Sequence, residues 1–119
     1  MRRFAPLALA VLAVGGCADG ADDSPPVASI DVVAGDDFFD PDRITAPEGR
    51  VEFIVANRGE DPHTFVIEGI GFKLRVFEPG ELDSGVVRLE QGELAFYCDI
   101  EGHREAGMEG VLVVEAQDR

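Results

Sequence analysis

Basic side chains are scarce in this sequence: 10 Lys and Arg face 24 Asp and Glu, a formal charge of −14 at pH 7. Lys73 is the only lysine. So acidic a chain excludes a nucleic-acid partner, because binding phosphates needs a basic face. The same charge favours solubility and encounter with basic proteins. Long apolar runs are missing as well: the longest, Phe4 to Val14, is too short to cross a bilayer. No stretch keeps a 3.6-residue apolar repeat for three turns, so helices should be few and short. The 119 residues leave room for one domain and a leader, not for two independent cores.

The apolar run sits behind Met1-Arg2-Arg3, a short positive segment, and ends at Gly15-Gly16-Cys17. This is the pattern of an exported protein's signal peptide, expected over residues 1–16. Val14-Gly15-Gly16-Cys17 resembles a bacterial lipobox, which implies cleavage before Cys17 and lipidation of that residue. A diacylated terminus would anchor the domain to a membrane without spanning it, facing the periplasm or the exterior. Losing Arg2 and Arg3 from the 10 basic residues leaves 8 against 24 acidic, about −16. Residues 18–27, small, acidic and proline-containing, have too little apolar surface to pack and read as a tether. Cysteine is equally scarce. With Cys17 lipidated, Cys98 is the one remaining thiol, so no intramolecular disulfide can form.

From Ala28 onward, short apolar runs alternate with Gly, Pro, Asn and Asp. Candidate strands are Val27–Ala34, Arg43–Ala46, Val51–Asn57, His63–Glu68, Lys73–Phe77, Gly85–Leu89, Glu93–Cys98 and Val111–Ala116. Turn chemistry separates them at Pro47-Glu48-Gly49, Asn57-Arg58-Gly59 and Glu78-Pro79-Gly80. So many short strands in one small domain predict an all-β sandwich or barrel. The two-residue period puts Leu94, Phe96 and Cys98 on one strand face, so the Cys98 thiol should point inward.

The scarce residues converge in the sequence. Past the leader the chain has one free cysteine, two histidines and one methionine. Cys98, His103 and Met108 follow a Cys-x4-His-x4-Met spacing in the loop between the last two candidate strands. Gly102 and Gly107 each precede a ligand candidate, and their freedom in φ permits tight turns there. His63 lies 35 residues before Cys98 and can join them only through tertiary folding. Taken singly, Cys98 is an ordinary buried hydrophobe, His63 a strand-edge polar residue, His103 a surface residue and Met108 loop packing. Together, one thiolate, two imidazoles and a thioether match a trigonal copper site with a weak axial methionine. Structural zinc takes more Cys or His and rarely Met. Asp36-Asp37 and Asp40-Pro41-Asp42 lack the alternating carboxylates and closing Glu of a calcium loop and read as turn chemistry.

At these residues a family resemblance becomes specific. Glu93 to Cys98, Gly102-His103 and Gly107 to Val114 resemble the ligand loop of cupredoxins, the plastocyanin and azurin family. Phe39-Asp40-Pro41, Ile44, Val51-Glu52-Phe53, Asn57 and His63-Thr64-Phe65 resemble the segment upstream of it. The resemblance covers roughly residues 28–116. It implies a Greek-key β-sandwich of about seven or eight strands in residues 28–119, one mononuclear type 1 (blue) copper, and outer-sphere electron transfer without substrate chemistry. It also implies that His103 is the electron port, surfacing through an apolar patch for which Ile100, Ala106 and Ile70 or Phe72 are candidates. Two positions depart from the pattern: Glu101 stands where related loops often carry Pro, and Thr64 where many carry Asn.

The expected function is a lipid-anchored carrier of single electrons between redox partners at the cell envelope. Its partners should bear basic patches, as a cytochrome or a respiratory oxidase can, and nothing demands more than a monomer. The alternative is a lipoprotein that delivers copper to an oxidase. An enzyme is disfavoured: multicopper oxidases and copper nitrite reductases need further histidines, and a binuclear copper module needs a second cysteine in the loop.

Overall fold

A computed structural model describes residues 24–117 of the chain. The expected signal peptide, Cys17 and the tether as far as Asp23 lie outside the described residues. Nine strands and one short helix form among the described residues: β1 (Ala28–Gly35), β2 (Phe38–Asp40), β3 (Arg43–Pro47), β4 (Gly49–Asn57), β5 (His63–Ile67), β6 (Phe72–Val76), β7 (Leu82–Leu89), β8 (Gly92–Tyr97), α1 (His103–Ala106) and β9 (Glu109–Glu115). Eight of the strands fall where the alternation places them. The addition is β2, a three-residue strand that is ordered by pairing with β1 rather than by its own pattern.

Two sheets face one another, in the orders β2-β1-β4-β7 and β3-β9-β8-β5-β6. Parallel pairing of β1 with β4 and of β3 with β9 brings sequence-distant strands together within each layer of the sandwich. Alternation is cleanest in β4, where Val51, Phe53, Val55 and Asn57 are buried and the residues between them are half-buried. This is what a sheet with one face on the core requires.

The core beneath the ligand loop is aromatic. The Phe65 ring centroid lies 5.6 Å from that of Phe39, 5.5 Å from Phe53 and 5.1 Å from Phe96. All four rings are buried. They hold β5 and β8, the strands that carry His63 and lead to Cys98, against the opposite sheet. Among the described residues no helix is long and apolar enough to cross a membrane.

Candidate metal centre

The four sequence-predicted ligands come from four places in the fold. Cys98 directly follows β8, whose Phe96 is fully buried and whose Leu94 packs against the core. The thiol is accordingly buried, and Cys98 is the free cysteine among the described residues. His63 opens β5 and is also fully buried. His103 opens α1 and is only partly buried. Met108, just before β9, is fully buried.

Backbone hydrogen bonds close the loop around Cys98. Its N–H donates to the Met108 carbonyl at 3.1 Å, and the Met108 N–H donates to the His103 carbonyl at 3.0 Å. The His103 N–H donates to the Ile100 carbonyl at 3.0 Å. The predicted turns need left-handed backbone at two glycines, Gly102 (φ +85°) and Gly107 (φ +127°). A Cβ on Gly107 would also approach the Asp37 carbonyl to 2.7 Å.

His63 arrives by a different device. The buried Asn57 side chain donates to the carbonyls of Asp61 (2.8 Å) and Val76 (2.9 Å) and accepts from the Gly59 N–H (2.8 Å). This side chain, at the end of β4, fixes the turn that delivers His63. There the ring meets its partners: one donor atom each from His63, Cys98 and His103 lie within 4.8 Å of one another. His103 Nδ1 is 3.5 Å from Cys98 Sγ, and the two imidazole centroids are 5.3 Å apart.

The donor chemistry fits a metal ion. His63 Nε2 lies 3.0 Å from Asp36 Oδ1, while His63 Nδ1 is buried with no hydrogen-bond partner. A bare, buried nitrogen beside a thiol and a second imidazole is costly unless it ligates something. One thiol and two imidazoles, with a buried methionine in the same loop, suit copper best. Met108 is tied to Cys98 through its backbone carbonyl and is fully buried.

Charges surround the cluster in an ordered way. Backbone N–H groups of Glu60 and Asp61, then the His63 imidazole, hold the Asp36 carboxyl below its usual range. Partial burial pushes the Asp99 carboxyl up, but hydrogen bonds from Lys73 and Thr64 outweigh it, and the net direction is down. Thr64, in the position where Asn is common, bonds to Asp99 through its hydroxyl, and its backbone N–H points to Cys98 Sγ at 3.4 Å. Arg104 stacks 4.2 Å from the Tyr97 ring centre and bonds Glu109 at 3.1 Å, tying α1 to β8 and β9.

The apolar residues expected to surround His103 lie only partly where the sequence put them. Ile100 and Ala106 do lie in the ligand loop. Ile70 and Phe72 do not belong to it, because β5 pairs with β6 so that His63 faces Val76 at one end and Ile67 faces Phe72 at the other. Ile70 therefore sits in the turn at the far end, and Phe72 packs on the core beside Phe53, centroids 6.0 Å apart. The apolar surface at the site end is a depression of about 650 Å³ lined by Pro62, Phe77, Pro79 and Ile100, with Glu60 and Glu78 at its edge. Sequence reasoning missed Phe77, Pro62 and Asp36. A hairpin register would have found Phe77, whereas no local spacing links Asp36 to His63.

Fold and site together define a small Greek-key β-sandwich with a thiol–imidazole donor cluster at one end. The cupredoxin-like domain model matches residues 6–114, and the chain belongs to that family. The structure resembles a dithionite-reduced auracyanin of the photosynthetic bacterium Roseiflexus castenholzii at a TM-score of 0.68 and 18% identity, covering 76% of this chain and 99% of that one. Auracyanin B is similar at a TM-score of 0.66 and 18% identity, covering 79% and 93%. A multicopper oxidase gives 0.63 at 18% identity, covering 74% of this chain but 42% of that one. Sequence comparison with curated proteins gives no match.

Proposed function

We propose that the chain is a type 1 copper protein that carries single electrons and performs no substrate chemistry. His63 through Nδ1, Cys98 through Sγ and His103 through Nδ1 would hold the metal, with the Met108 thioether as the fourth, weaker candidate ligand. The observations that carry this reading are the meeting of one donor atom each from His63, Cys98 and His103 within 4.8 Å and a buried His63 Nδ1 without a hydrogen-bond partner. Copper bound there supplies a one-electron couple.

The protein's own residues do the rest. The aromatic core and the Asn57 turn keep His63 and Cys98 in place whichever oxidation state is present, so little reorganisation accompanies transfer. Complete burial of Cys98 and Met108 keeps water from the sulfurs. His103, the only partly exposed imidazole of the pair, is the electron port. The neighbouring apolar depression with its acidic edge docks a redox partner that bears a basic rim around an apolar centre. The chain has two histidines in all, which leaves none for a second copper centre. From the Val14-Gly15-Gly16-Cys17 motif we further propose that the domain sits at the cell envelope, tethered as a monomer through a lipid on Cys17.

Repeated reduction and reoxidation of the copper-loaded protein in the presence of a Cu(I) chelator tests this reading against copper delivery. A carrier of electrons keeps its copper through many cycles. Rapid loss of Cu(I) to the chelator would instead favour delivery.

A further inference from the structure

Asp36 makes a set of contacts that the proposed ligand set does not require. Its Oδ1 lies 3.0 Å from His63 Nε2 and accepts from the Asp61 N–H at 3.1 Å. Both carboxylate oxygens also accept from the Glu60 N–H, each at 3.1 Å. The turn that carries it is wedged from two sides. A Cβ on Gly59 would collide with the Asp36 carboxylate, and one on Gly107 would press on the Asp37 carbonyl. The carboxylate is thus held by the loop before His63 and by the ligand loop, independently of the imidazole it meets.

An ionised carboxylate can only accept a hydrogen bond, so a neutral His63 carries its proton on Nε2 and its lone pair on Nδ1. That lone pair belongs to the atom left buried and partnerless. A backbone carbonyl in place of Asp36 would select the same tautomer without bringing charge. A carboxylate does both. It raises the basicity of the imidazole, and a fixed negative charge lowers the energy of the more positive metal state.

We infer that Asp36 is a positioning residue: it locks His63 as the Nε2–H tautomer and, through the ring, biases the metal site toward its oxidised form. The second half rests on the copper reading above, and the experiment keeps the two separable.

The test uses Asp36→Asn and Asp36→Ala beside the wild type. In Asp36→Asn the amide oxygen still accepts from Nε2–H while the charge is gone. The blue copper spectrum should persist, and preference for Cu(II) over Cu(I) should fall about tenfold, a rise in potential of about 59 mV for one electron. Nitrogen NMR of the metal-free wild type should show His63 protonated at Nε2, and Asp36→Ala should give a mixture of tautomers. A wild-type His63 protonated at Nδ1, or an Asp36→Asn potential equal to that of the wild type, overturns the inference. A wild type that binds Cu(II) without an intense blue band shows that the copper reading is what failed, and it overturns the redox half of the inference with it.

Discussion

Thr64 on β5 and Asp99, the residue after Cys98, exchange hydrogen bonds beside the thiol. The Thr64 hydroxyl donates to Asp99 Oδ1 at 2.7 Å and accepts from the Asp99 backbone N–H at 2.9 Å. Its single proton goes to the carboxylate, since Cys98 Sγ lies further away at 3.6 Å. The pair joins β5 to the first residue of the ligand loop, and Lys73 closes the other carboxylate oxygen at 2.6 Å.

Replacing Thr64 by Val keeps the volume but removes both bonds at a site that is almost fully buried. The metal-free protein should lose about 1–3 kcal/mol in denaturant unfolding, with Thr64→Ser close to wild type. Equal unfolding midpoints for Thr64→Val and wild type would show that the exchange does not tie the loop down.

Substitutions at Met108 test its proposed role as the fourth, weak ligand. Leu has similar volume, so Met108→Leu should change metal-free stability by less than about 1.5 kcal/mol, whereas Met108→Ala should lose about 2–5 kcal/mol. Copper should remain bound in Met108→Leu, at a higher potential, because a weak donor to the oxidised ion is gone. Loss of all copper from Met108→Leu, measured by metal analysis after dialysis, would contradict a weak axial role.

Charge should govern the approach of partners. With −14 formal charges, association with a basic redox protein should slow at least tenfold between about 0.01 and 0.15 M salt, as the screening length falls from about 30 to 8 Å. Phe77, 47% exposed in the depression, should matter through contact instead. Stopped-flow transfer by Phe77→Ser should be slower at every salt concentration, with spectrum and stability little changed. Rates independent of both salt and Phe77 would place docking elsewhere.

Much of this was legible in the sequence because the relevant patterns are local. The alternation of Val51, Phe53 and Val55 marks β4, and the inward face of Phe96 predicts a buried Cys98. Gly102 and Gly107 sit where the left-handed turns occur. What was not legible depends on register and tertiary meeting. Strand β2 is three residues whose order comes from β1. The end of the sandwich that Ile70 or Phe77 occupies follows from the β5–β6 pairing, which composition does not specify. Asp36 reads as turn chemistry until folding carries it across 27 residues to His63.

The most direct measurement is the visible absorption and EPR spectrum of the purified protein after addition of Cu(II). Convergence of His63, Cys98, His103 and Met108 on one ion predicts an intense blue thiolate-to-copper band and narrow copper hyperfine splitting, both lost in Cys98→Ser. A pale protein with ordinary copper hyperfine splitting, unchanged in Cys98→Ser, would contradict the account.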